Sequence, residues 1–111
     1  MSDPSARQAL VDVIRYASEP VTAAMVRADH LQLESWLAGN TIPETAVPRI
    51  VAASALVDTA LRTLTIAQLR VWLTTANPYL DEATPAQTFA DHGLERVLPA
   101  LTLQASGTAL R

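Results

Sequence analysis

The chain contains no cysteine, which excludes a disulfide framework, a thiolate nucleophile and a zinc–thiolate site. Lysine is absent too: the eight basic residues are all arginines, at positions 7, 15, 27, 49, 62, 70, 96 and 111. They face 11 carboxylates, giving a formal net charge of −3, and charged residues are only 17% of the chain, against about 25% in an average soluble domain. The arginines are also dispersed, three against five acids in residues 1–40, three against two in 41–76 and two against four in 77–111. No segment carries the dense basic stripe that releases many phosphate counterions, which argues against strong nonspecific nucleic-acid binding. The three glycines form no phosphate-cradling loop. No apolar run reaches the ~18 residues of a membrane span. Met1-Ser2-Asp3-Pro4 has neither the basic region nor the apolar core of a secretory signal. The expectation is a cytoplasmic protein with no membrane role.

What the chain has is apolar residues, 50% of 111. That length suffices for one core, burying roughly two-thirds of the unfolded surface. With so little charge, some apolar surface is expected to stay outside the core and to need a partner. The apolar spacing is helical throughout, so the fold class is all-α. A first helix is predicted over about 5–17, opened by Ser5 and Gln8 as a capping box, with Leu10, Val13, Ile14 and Ala17 inward. A second starts after Ser18 with Val21, Ala24, Met25 and Ala28 on one face. A third is capped by Asp29 and Gln32, carries Leu33, Trp36 and Leu37, and ends at Gly39-Asn40. A long fourth helix has Pro48 in its first turn and runs to about Thr63, presenting Val47, Ile50, Val51, Ser54, Val57, Leu61 and Leu64. Thr65 and Gln68 cap a fifth, which stops before Asn77-Pro78. Thr84-Pro85 opens a short sixth helix ending at Gly93, and a seventh runs from Leu94 to about Ala105, kinked at Pro99. A division near residue 64 is expected, into modules 1–64 and 65–111, joined rigidly by the fourth helix.

Nothing in the sequence favours catalysis. His30 and His92 are 62 positions apart. Asp91 and His92 are neighbours on a helix and point about 100° apart. The helices at 19–38, joined through Ala28-Asp29, have the spacing of a helix-turn-helix. In that geometry Leu33 and Trp36 face inward, while Arg27, His30, Gln32 and Ser35 face a DNA groove, Gln32 being able to read an adenine edge. Glu34 lies on the same helix and would repel phosphates.

The most specific pattern is Leu69-Arg70-Val71-Trp72-Leu73-Thr74-Thr75-Ala76-Asn77-Pro78-Tyr79-Leu80, then Thr84-Pro85, Gly93 and Arg96-Val97-Leu98. It resembles the toxin-binding domain of the Xre/MbcA/ParS class of antitoxins, partners of RES-domain toxins. Upstream, Ser18, Ala28-Asp29-His30, Trp36, Gly39 and Pro43 are placed as in that family's Xre-like helix-turn-helix, so the resemblance spans about residues 18–107. Many members have glycines after the Asn-Pro step, where this chain has Asp81-Glu82-Ala83.

The resemblance implies a non-enzymatic antitoxin without cofactor or metal, with an N-terminal helix-turn-helix module and a C-terminal toxin-binding module. It would neutralise an NAD-consuming RES toxin by laying its C-terminal segment over the active-site entrance. The residues expected on the toxin are Tyr79, Arg96, Leu101, Leu103, Ser106, Gly107, Thr108 and Arg111, Arg111 meeting groups meant for a dinucleotide. A homodimer within the complex is expected, together with autoregulation on operator DNA through Arg27, His30, Gln32 and Ser35. The plainer reading of Trp72, Pro78, Tyr79 and Phe89 is core packing. The rival reading is a stand-alone helix-turn-helix transcriptional regulator.

Overall fold

A computed structural model describes the backbone of residues 4–109 and the side chains of residues 5–103. Among the described residues there are seven α-helices and no strand: α1 (Pro4–Ala17), α2 (Glu19–Val26), α3 (His30–Leu37), α4 (Val47–Ala60), α5 (Ile66–Thr74), α6 (Pro85–His92) and α7 (Leu94–Ala109). A single 3₁₀ turn, Pro78–Leu80, separates α5 from α6. None of these helices is long and apolar enough to cross a membrane.

Helix ends follow the capping chemistry written in the sequence. The Asp29 carboxylate accepts from the Gln32 N–H at 2.7 Å, and the Gln32 side chain accepts from the Asp29 N–H at 2.9 Å. Thr65 and Gln68 repeat this box at α5, and the Thr84 hydroxyl caps α6. Gly39 (φ +109°) closes α3 with its N–H on the Trp36 carbonyl, while the Asn40 N–H reaches the Ser35 carbonyl. Arg27 takes the equivalent left-handed position after α2 at φ +59°. At α1 the expected cap is displaced: the helix already begins at Pro4, and the Gln8 amide donates to Asp12.

The core is one cluster running through both halves of the chain. It joins Ala6, Leu10, Val13 and Ala17 of α1 to Ile50, Ala53, Leu56 and Ala60 of α4, and continues to Leu69, Trp72 and Leu73 of α5, Phe89 of α6 and Val97 and Leu101 of α7. α1 packs on α4 and α5, α2 on α4 and α6, and α7 on α4 and α6. The segments meeting near residue 64 therefore share their interior.

Two helices, α4 and α2, are rotated from the expected face. In α4 the buried positions are Ile50, Ala53, Leu56, Val57 and Ala60, while Val51 is exposed and Ser54 half-buried. Small residues there and in its main partner α1 let the two helices come close, and alanine is a weak marker of an apolar face. In α2 it is Thr22, Met25 and Val26 that are buried, and Ala24 is exposed. A buried threonine is tolerated because its hydroxyl donates to the Ser18 carbonyl at 2.6 Å, leaving no orphaned donor. In α7 Val97, Ala100 and Leu101 are buried and Leu98 only half-buried. α7 also runs unbroken through Pro99, past the expected end at Ala105, to Ala109. Pro99 simply lacks the N–H that would have bonded the Glu95 carbonyl.

Candidate functional site

α5 buries one face and leaves another uncovered. Leu69, Trp72 and Leu73 point into the core, whereas Val71 is 64% exposed and Ile66 also stands out. Beside them lies a groove of about 410 Å³, lined by Leu64, Ala67, Val71, Trp72, Ala76 and Pro78 among others. Its floor is mostly carbon. The chain leaves α5 here because Thr75 is extended and Pro78 cannot continue the helix. Asn77, itself buried, holds the exit in place: its side chain accepts from the Tyr79 N–H at 2.9 Å, and its carbonyl accepts from the N–H groups of Leu80 and Glu82. The Trp72 indole N–H is buried with no hydrogen-bond partner, the sole such side-chain polar atom among the described residues.

The loop after Asn77 is strained. Asp81 (φ +56°) and Glu82 (φ +68°) are both left-handed, a conformation that favours glycine. The Asp81 carboxylate lies 3.6 Å from Arg96, an exposed pair that contributes little by itself.

Of the residues expected to grip a partner, Tyr79 (50% exposed) and Leu103 (47% exposed) offer apolar surface, and Arg96 is exposed in the pair with Asp81. Leu101 does not: at 4% exposure it belongs to the core, because α7 turns Val97 and Leu101 toward α4 and α6. Ser106, Gly107 and Thr108 lie in the last turns of α7, a helix where a slim tail was expected. Their side chains, and Arg111 altogether, fall outside the described residues. The exposed face of α5 was missed. Its signal was Ile66 and Val71, which lie off the stripe of Leu69, Trp72 and Leu73.

The four residues expected on DNA are each engaged within the chain. The Gln32 carbonyl oxygen accepts from the Asp29 N–H in the capping box. The Ser35 hydroxyl accepts from the Asn40 amide at 3.0 Å. Arg27 reaches the Ala90 carbonyl at 3.4 Å. His30 sits between Glu19 and Glu34, both carboxylates. Around it the surface of α3 is acidic and apolar, with Leu31 73% exposed. No group of three or more His, Cys, Asp or Glu among the described residues is arranged to hold a metal ion.

The fold is a small helical one found in a toxin–antitoxin assembly. Among solved structures, a chain of the M. tuberculosis MbcT-MbcA toxin-antitoxin complex superposes with a TM-score of 0.76, over 95% of this chain and 96% of that chain, at 22% sequence identity. No family model matches the sequence, and no curated protein is similar to it. At that identity the likeness is one of fold, and it agrees with the resemblance read from the Trp72 to Arg96 pattern.

Proposed function

We propose that this chain is a non-enzymatic antitoxin of a type II toxin–antitoxin pair, acting in the cytoplasm by binding its toxin and blocking access to the active site. The observation that carries the reading is the fold likeness over nearly the whole length of both chains to a member of a toxin–antitoxin complex. The uncovered face of α5, with Tyr79 and Leu103, supplies apolar surface suited to such a partner. The toxin class is the RES-domain, NAD-consuming one that the sequence resemblance implies. Tyr79, Arg96 and Leu103 are the contacts proposed from the described side chains, with Ser106, Gly107, Thr108 and Arg111 completing the stopper. A homodimer through α2 and α3 belongs to the same reading, supported by exposed Leu31 and Leu37.

Autoregulation, or a stand-alone role on DNA, finds less support. The residues proposed to read bases are hydrogen-bonded or paired elsewhere, and Glu19 and Glu34 flank His30 with negative charge.

The test is co-expression with the product of the adjacent reading frame. A complex burying more than ~1,000 Å² is expected, in which NAD consumption by the toxin is suppressed. Truncation after Ala105 is expected to restore NAD consumption while circular dichroism stays helical. Failure of the two proteins to associate overturns the antitoxin reading. A truncated chain that associates and still inhibits overturns only the stopper.

A further inference from the structure

One imidazole ties the beginning of α2 to the beginning of α3. His30 Nδ1 pairs with Glu19, the first residue of α2. His30 Nε2 lies 2.9 Å from Glu34, one turn along α3. An ionised carboxylate only accepts hydrogen bonds, so both contacts are satisfied together only when both ring nitrogens carry protons. The neutral ring has one N–H and turns a lone pair on the other carboxylate. We propose that Glu19, His30 and Glu34 form a proton-operated clasp on the α2–α3 pair: the imidazolium holds both carboxylates, and loss of one ring proton to water releases one of them.

Of the other charged groups around this pair, Arg49 and Asp91 line a pocket with Met25 and Arg27, at the end of α2 away from Glu19. Asp29 caps α3 through the Gln32 N–H. Arg27 turns to the Ala90 carbonyl, and Arg7 of α1 donates to the Trp36 and Asn40 carbonyls at the opposite end of α3. The ring is thus left to two anions from two helices. Its pKa is accordingly raised above the ordinary 6.5, chiefly by the hydrogen bond to Glu19, then by the charges of Glu34 and Glu19. Because the folded value lies above the unfolded one, the clasp contributes fully below about pH 6.5 for as long as both carboxylates stay ionised. Its contribution is lost as pH climbs through the raised folded value.

The experiment is an NMR titration of the histidine ring resonances in the full-length chain, with His92→Gln used to assign them. His30 is expected to titrate above 6.5, Glu19→Gln and Glu34→Gln each to lower that value, and the double variant to return it to about 6.5. Molar salt narrows the shift, since these charges are exposed. Amide exchange over residues 19–38, corrected for intrinsic rates, is expected to quicken above the His30 pKa in the parent chain and to show no such step in His30→Gln. A His30 that titrates at or below 6.5, or one unmoved by the double substitution, overturns the proposal. Glu34→Gln lies on the exposed surface of α3 and keeps the test decisive if Glu19→Gln disturbs the start of α2.

Discussion

Arg70 on α5 donates from Nε to the Tyr16 carbonyl at 3.0 Å, and its Nη2 reaches the Arg15 carbonyl at 2.9 Å. A guanidinium from the middle of the chain therefore closes the C-terminal end of α1, where backbone carbonyls lack helical partners and the dipole favours a cation. Arg7 does the same for α3, donating to the Trp36 and Asn40 carbonyls. Part of the small arginine complement is thus spent on helix ends, which leaves less of it for phosphates. Arg70→Ala is expected to lower stability by about 1 kcal/mol, with Arg70→Lys recovering only part because its single ammonium lacks the fork. Urea unfolding checks this. An unchanged midpoint in Arg70→Ala would remove the bond from the account.

Trp72 gives a sharper contrast. Its indole N–H is buried without a partner, a state that costs about 1–3 kcal/mol. Trp72→Phe removes that N–H along with some volume, so the two effects oppose each other. The net change is expected to stay within about 1 kcal/mol, whereas Trp72→Ala loses about 3–5 kcal/mol through the cavity it leaves. A loss in Trp72→Phe well above about 1 kcal/mol would mean that the indole nitrogen is satisfied in solution.

How much of this was legible beforehand depended on the kind of signal. Capping boxes at Asp29 and Thr65 rest on local chemistry between residues three apart, and they fold as read. Helix faces were less legible where the buried residue is small or polar. Ala53 and Thr22 carry weak hydrophobic signals, so α4 and α2 were read one step off their true faces. Leu101 looked available because it is a leucine near the chain end, yet the packing of α7 against α4 and α6 claims it for the core. The occupied state of Ser35 and His30 depends on Asn40 and Glu19 converging on them in three dimensions. Residue type alone does not report that.

The loop at residues 81 and 82 yields a prediction of unusual sign. Glycine normally costs about 0.5–1 kcal/mol of extra chain entropy on folding. Glu82, however, sits at φ +68°, where a side chain costs about 1–2 kcal/mol that glycine escapes. Its backbone N–H bond to the Asn77 carbonyl is kept in the variant. Glu82→Gly is therefore expected to leave stability unchanged or to raise it by up to about 1 kcal/mol, read as a higher melting temperature. A clear loss would show that the Glu82 side chain holds the loop.

Val71 separates packing from partner binding. It is 64% exposed on α5 at the edge of the apolar groove, so Val71→Glu should shift stability by no more than about 0.5 kcal/mol. If this face meets the toxin, the same substitution places an unpaired carboxylate in an apolar interface. Binding is then expected to weaken by roughly tenfold or more, since each 1.4 kcal/mol is a decade in Kd. Val51→Glu is the matched control. Val51 is similarly exposed, at 51%, but lies on α4 and does not line the groove. Titration calorimetry with the purified toxin should show Val51→Glu binding as the parent does and Val71→Glu binding poorly. Equal weakening by both would point to general surface charge, and no weakening by either would move the contact off α5.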